Sequence, residues 1–171
     1  MKKLLLSAAF SLVAATAFAG PQFVDDTGFA VSGYDVVAYF DLPQSEVGSP
    51  QPEAVPGLSS ITAEHNGATF AFSTVANRDA FVADPERYVP AFDGHCAYGV
   101  AKGGKVPGNP NLWRIVDDTL YLNVTKNVVT FWEEDIPGNI TLADGNWVDL
   151  EDDAAHQGPI PQFTSPAPVT N

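Results

Sequence analysis

The chain has 171 residues, with 21 acidic against 8 basic side chains and a net charge of -13. A surface of that sign repels nucleic acid and anionic lipid headgroups and suits a cationic ligand, so nucleic acid is excluded as a partner. A single cysteine excludes an internal disulfide. With Met1 as the sole methionine, a methionine-rich copper carrier and a blue-copper site with a methionine axial ligand are excluded as well.

In chain order, residues 1–19 carry the three parts of an export signal: Lys2 and Lys3, an apolar stretch from Leu4 to Val13, and small residues ending at Ala17-Phe18-Ala19. The apolar stretch is too short for a bilayer core of roughly 30 Å, and no later segment is apolar for long enough, so no membrane span is expected. Cleavage after Ala19 removes two lysines and leaves 6 basic residues against 21 acidic ones, a charge of -15. The expected location is periplasmic or secreted.

Residues 20–149 are read as one domain. Gly28–Phe40 (GFAVSGYDVVAYF) predicts a turn at Ser32-Gly33 and then a short strand or a short helix, of which the extended form is favoured. Residues 41–60, rich in proline and glycine, predict a loop. Ile61–Ser73 reads as a hairpin turning at Asn66-Gly67. Thr74 caps a helix through Ala83, which Asp84-Pro85 stops, and Pro85 opens a second short one. Gly94–Lys102 (GHCAYGVAK) predicts a short helix. Leu112–Asn123 forms a second hairpin about Asp117-Asp118, and Thr125 caps a further helix. A last short helical segment ends near Trp147. Residues 150–171, acidic and then rich in proline, have little to bury and predict a disordered tail. No repeat is evident. Hairpin, helices, hairpin, helices points to an α+β fold with small antiparallel sheets.

The stretches GYDVVAYF (33–40), HNGATFAFSTVANRDAFVADPERYVPAF (65–92), GHCAYGVAKG (94–103) and LWRIVDDTLYLN (112–123), with Phe131-Trp132 and Asn146-Trp147, resemble an exported bacterial member of the YHS-domain family. The resemblance spans roughly residues 28–148. It implies the fold, and it implies metal handling, because members of the wider group use a Phe-Cys-Ser element and a second cysteine as thiolates. This chain reads Ala71-Phe72-Ser73 and Asn77 in those places, so metal binding requires other ligands.

The candidate metal set is Cys96, His95 and His65, a thiolate and two imidazoles suited to copper or zinc. Adjacent residues such as His95 and Cys96 do not normally face the same way, which leaves open that one ligates while the other packs. A second reading makes Cys96 a redox or nucleophilic thiol activated by His95, although no second cysteine exists to resolve an oxidised form. A third makes Tyr34, Asp35 and Tyr98 part of an aromatic pocket for a small ligand or partner. No catalytic triad, phosphate loop or paired-cysteine motif is legible.

Overall fold

The computed structural model describes residues 22–154 and 163–170. The expected export signal lies outside them, as do residues 155–162 of the expected tail. Among the described residues no helix is long and apolar enough to cross a membrane.

The fold is α+β, built on two antiparallel hairpins. Strands β1 (Leu58–His65) and β2 (Ala68–Phe72) form the first. Helix α1 (Val75–Ala83) follows, with the Thr74 hydroxyl accepting from the Asn77 N–H at 3.0 Å. Helix α2 (Ala97–Ala101) precedes the second hairpin, β3 (Asn109–Val116) and β4 (Thr119–Asn123). Helix α3 (Lys126–Glu133) is capped by Thr125, which accepts from Val128 N–H, and α4 (Ile136–Leu150) is capped by Asp135. The hairpin turns and the Thr74 and Thr125 caps fall where the sequence places them, and the Asp135 cap is an addition.

The expectation of no repeat is overturned, because the two hairpins are copies of one unit. Each register pair of the first recurs 51 residues on: Leu58 with Phe72 becomes Asn109 with Asn123, and Thr62 with Ala71 becomes Trp113 with Leu122. The strand irregularity falls at the same place in both. Cap Thr74 matches Thr125, and the buried Phe81 matches the buried Trp132. Asp84 (φ -154°, ψ 75°) matches Asp135 (φ -154°, ψ 76°).

A left-handed turn introduces each unit, Val31-Ser32-Gly33 in one (φ 49°, 52°, 80°) and Phe92-Asp93-Gly94 in the other (φ 56°, 53°, 83°). Two non-glycine residues in this region are costly, and each turn is held by equivalent bonds. Gly57 N–H donates to Gly33 O and Gly108 N–H to Gly94 O, while Asp35 N–H donates to Val55 O and Cys96 N–H to Val106 O. Between residues 66–85 and 117–136 only the threonine and the aspartate are identical. From Asp35 to Val55 is 20 residues and from Cys96 to Val106 only 10, so no constant offset spans the units. Both facts hide the copy from a linear reading.

Three further expectations are corrected. Residues 33–40 are not extended. The Asp35 carboxyl accepts from the N–H groups of Val37 (3.0 Å) and Ala38 (3.2 Å), which starts a short 3-10 turn at Ala38–Asp41 in place of a strand. Nor is the whole tail without structure. Val169 pairs with the start of β1 through Ser59 N–H and Gly57 O, Ser165 Oγ donates to Ser32 O at 2.6 Å, and Ala167 is buried. Low apolar content misled here, because this segment is held mainly by backbone bonds to an edge strand. The last helix is also longer than expected, running to Leu150.

The apolar core forms two clusters, the first of which takes side chains from both hairpins. Val36, Tyr39, Phe70, Phe72, Phe81, Leu120 and Leu122 fill the first cluster, and Phe92, Val100, Tyr121, Trp132 and Ala143 the second. Gly57 and Gly108 are equivalent crossing points, since an added Cβ would meet Ala71 at 2.5 Å in one and the Gly94 carbonyl oxygen at 2.6 Å in the other. Gly57→Ala and Gly108→Ala should therefore each destabilise by about 1–3 kcal/mol in urea titration. Gly145→Ala, in the interior of α4 with nothing within 4 Å, should stabilise by about 0.5–1 kcal/mol.

Candidate functional site

Asp35 and Cys96 occupy the same place in the two units. Asp35 is fully buried, and its carboxyl accepts five hydrogen bonds: from Val37 and Ala38 N–H, from Ser73 N–H (2.8 Å) and Oγ (2.6 Å), and from Asn77 Nδ2 (2.7 Å). Ser73 and Asn77 lie in the segments where the YHS resemblance places thiolates. Here they converge on a carboxyl group, as a hub of hydrogen bonds joining the first turn, β2 and α1.

At the equivalent place Cys96 Sγ accepts from Gly99 N–H at 3.3 Å, and its thiol donates to Asn123 Oδ1 at 3.5 Å. Tyr98 N–H donates to the same Asn123 oxygen at 3.2 Å. Burial pushes the Cys96 thiol up, against the opposing pull of the Gly99, Val124 and Tyr98 N–H groups. The neutral thiol is therefore the resting form, opposite to what a nucleophile or a ready thiolate ligand needs.

His95, although adjacent to Cys96, is buried among aromatic rings beside the second cluster. Its Nδ1 donates to the Phe92 carbonyl at 2.8 Å, and its ring packs against Phe23 (5.2 Å) and Trp147 (5.9 Å between centroids). Burial takes it down to about 4, against the Phe92 bond and with the Lys105 charge adding to the fall. It is a neutral imidazole at physiological pH, with Nε2 as the unprotonated nitrogen. His65 stands elsewhere, at the end of β1, 3.1 Å from Glu86 Oε1 and edge-on to Phe81.

The expected metal set is thus not gathered. His65 belongs to the first hairpin, Cys96 is engaged by Asn123 and backbone N–H groups, and His95 faces aromatic rings. Among the described residues no three His, Cys, Asp or Glu side chains come together in a way that could hold a metal ion. The donors present do not fit a copper or zinc centre.

The expected ligand-binding residues also separate. Asp35 is spent on the hub. Tyr98 lies on α2, stacked on Phe131 with Lys102 Nζ 4.7 Å above its ring. Tyr34 alone lines a cavity, of about 250 Å³, with Glu53, Asn111, Phe163 and Pro166. Those first three continue into a groove of about 930 Å³ between the 47–53 loop, β3, α3 and Phe163-Thr164.

The loop wall of that groove is fastened by charge. Arg114, buried on β3, donates to Glu133 Oε1 from Nε (3.0 Å) and Nη2 (2.6 Å) and to the Ser45 and Glu46 carbonyls, while Glu133 Oε2 accepts from Gly48 N–H. Trp113 Nε1 donates to Pro52 O and Asn111 Oδ1 accepts from Ala54 N–H. The sequence reading missed this region. Its one available sign was Arg114 inside the apolar run Leu112–Val116, where a charge must find a partner to be buried.

Comparison with protein-family models, curated proteins and solved structures finds no match to this chain.

A raised thiol in a closed cradle should react with a bulky aromatic disulfide reagent at least a hundredfold more slowly in the native protein than after unfolding in guanidinium; comparable rates would remove the cradle. As pH falls from 6.5 to about 4, His95 is protonated in the unfolded chain before the folded one, so the stability it confers above 6.5 is lost through that window. The difference in unfolding free energy between wild type and His95→Gln should shrink there by up to about 1.4 kcal/mol per pH unit, measured by urea titration at each pH.

Proposed function

We propose that the protein is an exported binding module of YHS type that takes a small, partly apolar organic ligand in the groove between the 47–53 loop, β3 and α3. The observation that carries the reading is the groove itself. Its volume is in the range of small-molecule sites, and its walls are held by the Arg114–Glu133 pair and by side-chain bonds across the loop, so the site is formed before a ligand arrives. Trp113, Leu112, Val129 and Phe163 supply apolar surface, while Asn109, Asn111, Thr130 and Lys126 supply hydrogen bonds. The alternative reading, copper or zinc on Cys96, His95 and His65, has the family resemblance and the acidic surface behind it but not the placement of its donors. A cysteine-based redox enzyme is disfavoured by the buried, uncharged thiol.

The test is a titration of the isotope-labelled chain from residue 20 onward with the neutral apolar dye Nile red, followed by amide shifts. Shifts should concentrate at Asn109, Leu112, Val129 and Thr130, and Val129→Trp, which fills the groove, should weaken binding at least tenfold. Shifts elsewhere, or unchanged binding in V129W, would refute the groove. Addition of Cu(II) or Zn(II) to the same sample decides the alternative, since stoichiometric binding centred on His95 and Cys96 would restore the metal reading.

A further inference from the structure

Gln22 and Asp93 are both only 6% exposed and touch through one bond, Gln22 Nε2 donating to Asp93 Oδ1 at 2.8 Å. Among the described residues each keeps one buried atom without a partner, Oε1 of the glutamine and Oδ2 of the aspartate. Both are acceptors as long as Asp93 is ionised. Leaving two buried acceptors unmet is costly, and the cost falls if one of them carries a proton that the other accepts. A carboxyl and a carboxamide already joined by one N–H···O bond close a two-bond ring when the second carboxyl oxygen is an O–H.

We infer that Gln22 and Asp93 form a carboxylic acid–carboxamide pair that straps the N-terminal segment across the Phe92–His95 turn and releases it when the acid ionises. The strap is short and local. Phe23 N–H donates to the Asp93 carbonyl at 2.8 Å, the Phe23 ring lies against His95, and the segment is fixed at its far end by Ala30 N–H on Thr69 O. Ionisation sends the Oδ2 proton to solvent, breaks the O–H···O bond and sets two acceptors against each other. What the strap covers is His95, so its release opens the imidazole to solvent.

The groups around Asp93 favour the acid form. Burial pushes its carboxyl up to about 7, Glu151 at the end of α4 adds to the rise, Lys105 opposes it, and Glu86 from the turn after α1 adds again. Lys105 is occupied elsewhere, donating to the Glu151 and Asp153 carbonyls at 2.7 and 2.9 Å and lying 5.0 Å from the Trp147 ring centroid. His95, on the same turn, is held neutral down to about 4. The equivalent turn of the first unit has Ser32 in place of Asp93 and is strapped by Ser165, so it carries no titrating group.

With the folded value raised above the ordinary 3.8, the strap is strongest below about 4 and weakens as pH rises to about 7. Hydrogen exchange at Phe23 N–H, corrected for intrinsic rate, tests this on the chain beginning at Gly20. Opening should become tenfold more favourable per pH unit between about 4 and 7 and level off above. The Asp93 carboxyl carbon should titrate near 7. Asp93→Asn, which supplies a permanent N–H for Gln22 Oε1 and tolerates the left-handed backbone, should keep Phe23 protected at all pH values. Both chains carry the same terminal amine, so its titration cancels. Gln22→Ala should lose Phe23 protection at pH 5 while core amides keep theirs, and this variant serves if D93N does not fold. An Asp93 midpoint in the ordinary carboxylate range, or protection at Phe23 that does not change with pH in the wild type, overturns the inference.

Discussion

The buried carboxyl of Asp35 is the point on which the first half of the molecule depends. It sits in apolar surroundings, where a polar group without partners would cost several times the worth of an ordinary hydrogen bond. Five donors from three segments answer it: the 3-10 turn it starts, the end of β2, and the first turn of α1 through Asn77. None of these segments is long enough to be stable alone. The shared acceptor makes them interdependent, so the left-handed turn before Asp35, costly in itself, is over-determined by the bonds that converge on the carboxyl.

The second half solves the same problem with a weaker group. Cys96 takes the place of Asp35, Asn123 supplies the polar contact, and a small buried thiol asks for less hydrogen bonding than a carboxyl does. What the cradle loses in hydrogen bonding is offset by packing. Trp132 replaces Phe81, and α4 runs for 15 residues where the first unit has only the short turn Pro85–Arg87; its Asn146 closes the end of α2 by donating to the Val100 and Ala101 carbonyls. The two units have thus diverged around one backbone plan, toward a carboxyl hub of five hydrogen bonds in one and a sparsely bonded thiol with an added long helix in the other.

That divergence bears on function. The segments that the resemblance connects with thiolates supply Ser73 and Asn77, both committed to Asp35, while the remaining thiol is neutral and enclosed. The groove lies instead on the face where the long loop of the first unit meets the second hairpin. The loop's ten extra residues relative to its copy make one wall of the groove, and the buried Arg114–Glu133 pair holds it there. A buried ion pair is a poor source of net stability but a good way to specify one loop position.

Turn and cap chemistry by itself determined much of the fold. Asn66-Gly67, Asp117-Asp118, Thr74, Thr125 and Asp84-Pro85 act on their immediate neighbours, so hairpins, helix starts and a stop were legible without tertiary information, and the α+β class came with them. What lay beyond local chemistry was decided by the tertiary structure. Asp35 reads as one polar residue in an extended run until Ser73 and Asn77, 38 and 42 residues on, are brought to it. The duplication is invisible because side chains diverged while backbone bonds, which carry no sequence signature, stayed the same. The C-terminal segment reads as unstructured because backbone pairing to an edge strand, as at Val169, requires no apolar pattern. His65, His95 and Cys96 form a good ligand set as letters, but the direction of each side chain is set by the strand end or turn that carries it, and those elements hold them apart.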